Sequence, residues 1–344
     1  PQQSGFPSGF QNVGSIQNRG MEFAVNYSNG SGDFRYNIGI NLTTVSNKLV
    51  SLTNNLNAVT NLESLGFPTT GTNNWGTFSN SVVGGPVGEF YGYKSAGIFQ
   101  TQKEIDALNA TAVAKNGPGS YYEATQGPAK SAIIGDRKFV DLNGDGKITP
   151  ADQTALGSPI PKFYGGLTFG GTYKNFDFSI FFYGVSGNKI FNYQERTLES
   201  FGSSTGSVGI ENIGEKYFQG AWTPSNGSMR YAQIDANEFN ANTRPSDVYV
   251  EDGSYLRLRN LNIGYTIPSK IFTGSMPIKI RVFFIGQNLF TITKYSGLDP
   301  EIGIPSGTDI NNANSTIRNV TASGVDVGTY PSSQYYTLGV NVTF

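Results

Sequence analysis

The chain has 344 residues, a formal net charge of −1, and neither Cys nor His. That excludes an electrostatic footprint for nucleic acid, a disulfide framework, thiolate zinc, and any nucleophile–base set built on Cys or His, so an enzyme is not expected. Only 14% of residues are charged against 13% aromatic, with 24 Phe, 19 Tyr and 44 Gly, a balance that favours an all-β chain with long polar loops and aromatics suited to membrane interfaces.

No run approaches the roughly 20 apolar residues of a membrane helix. The chain starts at Pro1 without a basic-then-apolar leader. Removal of the start by processing and membership of a longer protein are both open on this point. Residues 1–19 are rich in Gly, Gln, Asn and Ser and read as loop. Residues 20–28 set Met21, Phe23, Val25 and Tyr27 against Glu22, Ala24 and Asn26. After a short turn the chain returns with Phe34, Tyr36, Ile38, Ile40 and Leu42 against Arg35, Asn37, Gly39 and Asn41, which predicts a hairpin with matched faces.

Residues 46–85 read as a long loop and 87–99 as a Gly-interrupted strand. The spacing predicts one helix over 101–114. Thr101 and Glu104 form a capping box ahead of Ile105 and Leu108, and Gly117-Pro118 closes it. Being short and half polar, it reads as a loop decoration.

Alternation returns over 163–174 and 176–183, with Leu167, Phe169 and Tyr173 on one strand and Phe176, Phe178, Ile180 and Phe182 on the next. Residues 184–252 read as loop. Residues 255–267 form a strand whose phase slips between Leu258 and Leu261, which predicts a bulge near Asn260. A turn over 268–277, a strand over 278–289, a loop over 291–333 and a final strand follow. In that final strand Tyr336, Leu338, Val340, Val342 and Phe344 face one way, and Tyr335, Thr337, Gly339, Asn341 and Thr343 the other. Such a ribbon suits a soluble sandwich or a lipid-facing barrel equally well.

Loop lengths separate the two. Connections at 28–33, 175 and 268–277 are short, while those at 46–162, 184–252 and 291–333 are long. Placing all short turns at one end and all long loops at the other is the habit of outer-membrane barrels, with the long loops extracellular. The alternation requires zero or two membrane strands inside 46–162. Seven strands are an odd count, and an open sheet end in lipid leaves backbone groups unpaired. The chain is therefore expected to supply part of a larger barrel.

One motif carries chemistry. Asp141, Asn143, Asp145, Lys147 and Asp152 occupy positions 1, 3, 5, 7 and 12 of a calcium-type loop over 141–152, with Gly146 at position 6 and the Lys147 carbonyl as a donor. Hard oxygen donors without His or Cys suit a structural Ca²⁺. Asp at position 12, without long flanking helices, resembles dockerin-type loops. The plainer alternative is an Asn-Gly/Asp-Gly turn holding no metal.

Asp136 with Asp141, and Asp299 with Glu301, read as solvated loop carboxylates. Arg257 and Arg259 share a strand face, either to bind plug carboxylates or substrate, or as ordinary lumen lining. Trp75, Tyr121, Tyr122 and Trp222 suit sugar stacking or packing at an interface.

In order along the chain stand Gly84-Gly85-Pro86-Val87-Gly88-Glu89-Phe90-Tyr91-Gly92-Tyr93, Gly97-Ile98-Phe99-Gln100 and Gly135-Asp136-Arg137-Lys138-Phe139. Then come Leu156-Gly157-Ser158-Pro159-Ile160-Pro161-Lys162-Phe163-Tyr164-Gly165-Gly166, Trp222-Thr223-Pro224 and Asp252-Gly253-Ser254-Tyr255-Leu256-Arg257-Leu258-Arg259-Asn260. Gln287-Asn288-Leu289-Phe290, the run from Tyr295 to Asp299-Pro300-Glu301 and the terminal strand to Phe344 complete the set. With these, residues 80–344 resemble the carboxy-terminal part of SusC/RagA-type TonB-dependent outer-membrane transporters of Bacteroidetes.

The resemblance implies that residues 1–344 are the carboxy-terminal portion of a 22-stranded transmembrane β-barrel in a Gram-negative outer membrane. It implies a plug domain and further barrel residues outside this sequence, energy from TonB, a SusD-like surface lipoprotein as partner, outer-membrane lipid around the barrel, and import of glycans or peptides. The reading from another class is a secreted β-rich adhesin or glycan-binding module with a structural calcium loop.

Overall fold

The structure is a computed structural model and describes residues 14–52, 58–60, 79–125, 129–199, 212–235, 240–268, 278–303, 306–309, 312–318 and 323–344. Seven strands make one antiparallel sheet: β1 (Glu22–Asn29), β2 (Phe34–Thr44), β3 (Phe163–Tyr173), β4 (Phe176–Ser186), β5 (Tyr255–Ile267), β6 (Lys279–Thr293) and β7 (Tyr335–Thr343). Their order in space is their order in the chain, an up-and-down meander. These are the seven strands that period-two alternation predicts.

The register is what gives the sheet two characters. One row runs Val25, Ile40, Leu167, Phe182, Leu258, Phe290 across β1 to β6. The row near the opposite end runs Phe34, Tyr173, Phe176, Tyr265, Val282, Val340 across β2 to β7. A slip of one residue in any strand would turn its whole apolar set to the other side. The phase change in β5 is absorbed by a bulge at Arg259, because Leu258 pairs with Phe182 and Asn260 with Phe181. This is where the slip in alternation predicts it.

The three connections 45–162, 187–254 and 294–334 leave one end of the sheet, and 30–33, 174–175 and 268–278 leave the other. The turn expected over 268–277 lies almost wholly outside the described residues. Among the described residues of 45–162 no strand joins the seven-stranded sheet.

Two expectations need correction. Gly14–Arg19 and Ser46–Leu52, read as loop, pair antiparallel and carry the β1–β2 hairpin beyond Thr44. They lack a clean apolar face, but ladder hydrogen bonds need none. The stretch 87–99 is not one strand but two, Glu89–Gly92 and Ser95–Ile98, in separate small sheets. In addition β6 runs on to Thr293 with Phe290 and Ile292, past the expected end at 289.

The helix α1 (Gln102–Asn116) forms where the cap predicts. Thr101 accepts a hydrogen bond from the Glu104 N–H, and Gly117 ends the helix at a φ of +89°. Glu104 reaches the Gln100 N–H rather than that of Thr101, and pairs with Lys138. Ile105 and Ala112 on α1 are buried, and Ile105 packs with Phe99, Tyr122 and Ala132. The helix is thus part of a packed core and not a decoration.

Candidate functional site

The long connections interlock. Lys189–Asn192 from the second connection pairs antiparallel with Val250–Asp252 and parallel with Val325–Asp326 from the third. Phe191, Tyr249 and Val325 close on Phe90 from the first connection. The Tyr93 N–H donates to the Pro245 carbonyl at 2.9 Å. Apolar residues from three distant stretches therefore build one lobe at the long-loop end of the sheet.

Charges are buried in the lobe with their partners. Arg137 is buried against Glu199 at 3.5 Å and donates to the Asn242 and Arg230 carbonyls. Tyr249 Oη donates to Glu199 at 2.8 Å, and burial pushes its phenol well above the usual range. Burial raises Glu123 to about 7 although Arg244 lies 3.6 Å away, and raises Glu195 to about 7 beside Arg230. Asp136 is buried and accepts from Gln233, Asn242 and the Ile133 N–H. Reading it as a solvated carboxylate is overturned by these contacts.

Asp299 is likewise not a solvated loop carboxylate but buried, while Glu301 is exposed and paired with both arginines. Arg257, only 2% exposed, binds Asp299 at 2.5 Å and Glu301 at 2.9 Å, and Arg259 on the bulge reaches Glu301 at 2.5 Å. Burial would raise Asp299, but the Ser332 and Glu301 N–H groups and Arg257 hold it below the usual range. The arginine pair is thus engaged by the chain's own third connection. On the polar face of the sheet below, Arg281 from β6 spans β5 to bind Asp177 on β4, and it also reaches Asn262.

The calcium-type loop closes on itself. Asp141 accepts from the Gly144 and Gly146 N–H groups, both at 2.7 Å. Asn143 accepts from the Asp145 N–H, and Asp145 from the Lys147 N–H, each at 2.8 Å. Asp152 is fully buried and accepts from the Leu142, Asn143 and Thr149 N–H groups and the Thr149 hydroxyl. A carboxylate offers about four lone-pair sites. The loop fills those of Asp152 and leaves about half of those of Asp141 and Asp145. Lys115 and Asn116 at the end of α1 donate to the Gly144 and Asp145 carbonyls and pin the loop to the lobe. Among the described residues no three His, Cys, Asp or Glu side chains converge as a preformed metal cage. The oxygen donors left open are of the hard kind that a calcium ion accepts.

Of the loop aromatics, Tyr121 and Trp222 are half-buried and Tyr122 is buried. Tyr122 Oη donates to the Phe139 carbonyl, while Trp222 Nε1 donates to Gln100. Trp75 lies outside the described residues.

No protein-family model matches the chain. "TonB-dependent receptor P3" of Formosa agariphila is 31% identical over 348 residues, covering 100% of this chain and 30% of that protein. "TonB-dependent receptor SusC" of Bacteroides thetaiotaomicron is 25% identical over 340 residues, 97% of this chain and 27% of that protein. The chain matches a segment of the TonB-dependent receptors, SusC among them.

It spans about three tenths of the length of these relatives. A solved chain of the RagAB peptide transporter superposes with a TM-score of 0.66 at 22% identity, over 100% of this chain and 31% of that one. The RagAB importer in its open-open state gives 0.64 at 23%. The likeness at this identity is one of fold. It agrees with an all-β segment of a large transporter barrel. The resemblance carried by the motifs is thus borne out. Arg137, Glu199, Arg244 and Glu123 escaped sequence reasoning because their partners lie tens of residues away, and no local pattern marks them.

Proposed function

We propose that this chain forms part of the barrel wall of an outer-membrane nutrient importer. It would work with TonB and a SusD-like surface lipoprotein and take up glycans or peptides. One observation carries the reading: across all seven strands the register gathers most of the large apolar side chains on one face, with Phe181, Phe283 and Ile285 among those on the other, and many on the apolar face are exposed, Leu338 at 81%. In water such a surface is far beyond the few hundred Å² that soluble monomers leave uncovered. In lipid it is the stable arrangement. An 11-residue strand such as β3 rises about 37 Å, and a tilt of about 45° brings that to about 26 Å, the height of an outer-membrane apolar band. The lobe then stands on the extracellular side, where a surface lipoprotein and incoming substrate are met.

The test uses the whole gene. Its deletion should abolish growth on the imported polymer and its product should sediment with outer membranes. A full-length product that folds and stays in solution without detergent would overturn the reading.

The loop over 141–152 is read as a structural calcium site held by Asp141, Asn143, Asp145 and the Lys147 carbonyl, with Asp152 holding the loop closed. The support is the open oxygen capacity of Asp141 and Asp145. Chelation should lower the lobe's unfolding temperature in the native protein, and Asp141→Ala with Asp145→Ala should remove that response. Identical melting with calcium and with chelator would refute the site.

A further inference from the structure

A pocket opens in the lobe where the second and third long connections meet. Its walls come from α2 (Tyr193–Leu198), α3 (Glu215–Gly220), Tyr231 and residues 296–298. Its volume is about 350 Å³, at the small end of the range of about 300–1,000 Å³ that small-molecule sites occupy. Leu198, Leu298, Tyr217 and Tyr231 make much of the lining apolar. Leu298 is 62% exposed and Leu198 40%, so this wall is open to a ligand.

The charges around the pocket do not balance. Glu195 and Glu199 line it, and a third carboxylate, Glu251, lies against Glu195. Arg230 binds Glu195 at 2.8 Å and stands 3.4 Å from Glu199, while Arg137 stands 3.5 Å from Glu199. Glu251 takes only neutral donors, Asn192 Nδ2 and the Ser296 hydroxyl and N–H, each at 2.8 Å. Arg196, next to Glu195 in the chain, donates instead to the Thr243 carbonyl. Tyr295, near Glu195 and Glu251, gives its hydroxyl to Asp326. Glu215 and Lys216 also line the pocket and offset one another. Around Glu195 and Glu199 the described residues thus set three carboxylates against two guanidiniums.

One oxygen is left open as well. Glu199 is only 3% exposed. Its Oε2 accepts from Tyr249 Oη and Arg137, neither of which lines the pocket, and its Oε1 accepts no hydrogen bond among the described residues. A buried carboxylate oxygen without a donor is costly. Burial raises Glu195 to about 7 against the pull of Arg230, and Glu199 and Glu251 add to the rise. A proton on Glu195 therefore covers the charge deficit while the pocket is empty. The hydroxyls of a neutral sugar would fill the open oxygen but leave the missing positive charge. An ammonium brings N–H donors and the charge together, and tyrosine rings favour a cation beside them.

We propose that this pocket binds a primary ammonium on a short apolar stem, with the ammonium at Glu195 and Glu199 and the stem against Leu198, Leu298 and Tyr217. A peptide amino terminus and a lysine side chain both present that group. The inference deepens the importer reading and rests on it only for the route by which the amine reaches the lobe.

The test is calorimetric titration of the purified full-length transporter with leucinamide, with Nα-acetyl-lysinamide and with uncharged N-acetyl-leucinamide. An amine should bind about tenfold more tightly than the uncharged probe, and the tighter of the two amines identifies the source. Binding should strengthen about fivefold from pH 6 to pH 7.5 as Glu195 gives up its proton. Glu195→Gln should remove that dependence and Glu195→Asp should keep it. Leu198→Trp, at a half-open position, should fill the pocket and abolish binding without lowering the melting temperature, and it decides where Glu195→Gln fails to fold. Equal affinity for charged and uncharged probes, a flat pH profile in wild type, or unchanged binding in Leu198→Trp overturns the proposal. Failure of the importer reading looks different, because the amine would still bind while deletion of the gene left growth unchanged.

Discussion

The sheet and the lobe above it resolve opposite problems with one chain. In the sheet, large apolar side chains such as Val25, Leu338 and Val340 stand exposed, and most of the polar side chains lie on the other face, where Phe181, Phe283 and Ile285 are interspersed. In the lobe, Phe90, Phe191, Tyr249 and Val325 are fully buried, and Arg137, Glu123 and Asp152 go in with them. The same residue types are therefore sorted by two different surroundings. The lobe follows the rule of a water-soluble domain, where burying apolar area stabilises and every buried charge needs a partner. The sheet makes sense only if its outer surroundings are as apolar as a protein core. A chain built to live wholly in water would not hold both patterns.

The comparison can be strained at several points, the largest first. Arg257→Ala leaves Asp299 buried without its cation, and removing one partner of a buried pair costs about 3–5 kcal/mol. The effect should be local, seen as rapid proteolysis of the connection around 294–303 while the sheet persists. Next, Leu338→Arg places a charge on the outer face and should cost about 2–4 kcal/mol in lipid if it lies near mid-bilayer. Its neighbour Thr337→Arg, turned to the other face, should leave assembly nearly unchanged. Barrel folding into vesicles followed by gel mobility reads both. Equal effects would erase the distinction between the faces.

A pH effect belongs to the lobe alone. Glu123 and Glu195 sit near 7 when folded, against an ordinary value of 4.5. The folded lobe therefore holds more protons than the unfolded chain between these values. The stabilisation from these groups is complete below about 4.5 and is lost as pH rises through about 7. The lobe's unfolding temperature should fall between pH 5 and pH 8, and Glu123→Gln should flatten part of that slope. Smallest is Thr101→Ala, which removes the cap of α1 and should cost about 1 kcal/mol, measurable as faster amide exchange in the first helical turn.

The seven strands, their facing and the bulge at Arg259 were legible because each is written in local alternation with period two. The helix was legible because its cap lies within four residues. The lobe was not. Asp299 looked solvated because Arg257, its partner, is 42 positions away, and Asp136 looked solvated because Asn242 is 106 away. The helix looked like a decoration because Phe99 and Tyr122, which cover Ile105, lie outside it. The ladder between Gly14–Arg19 and Ser46–Leu52 went unread because its few apolar residues, Ile16, Leu49, Val50 and Leu52, do not alternate cleanly and a register shift at Ser15/Ile16 interrupts the pairing.

The sequence by itself determined the sheet, since alternation, turn residues and loop lengths are properties of neighbouring residues and settle both which strands form and which way they face. The family motifs added the kind of barrel to which they belong. Only the tertiary structure decided how the three long connections pack. Their hydrogen bonds and ion pairs join residues that chain entropy keeps apart until the fold brings them together. It also decided that Glu195, Glu199 and Glu251 meet beside Arg230, because a pocket between two connections exists only once both are packed.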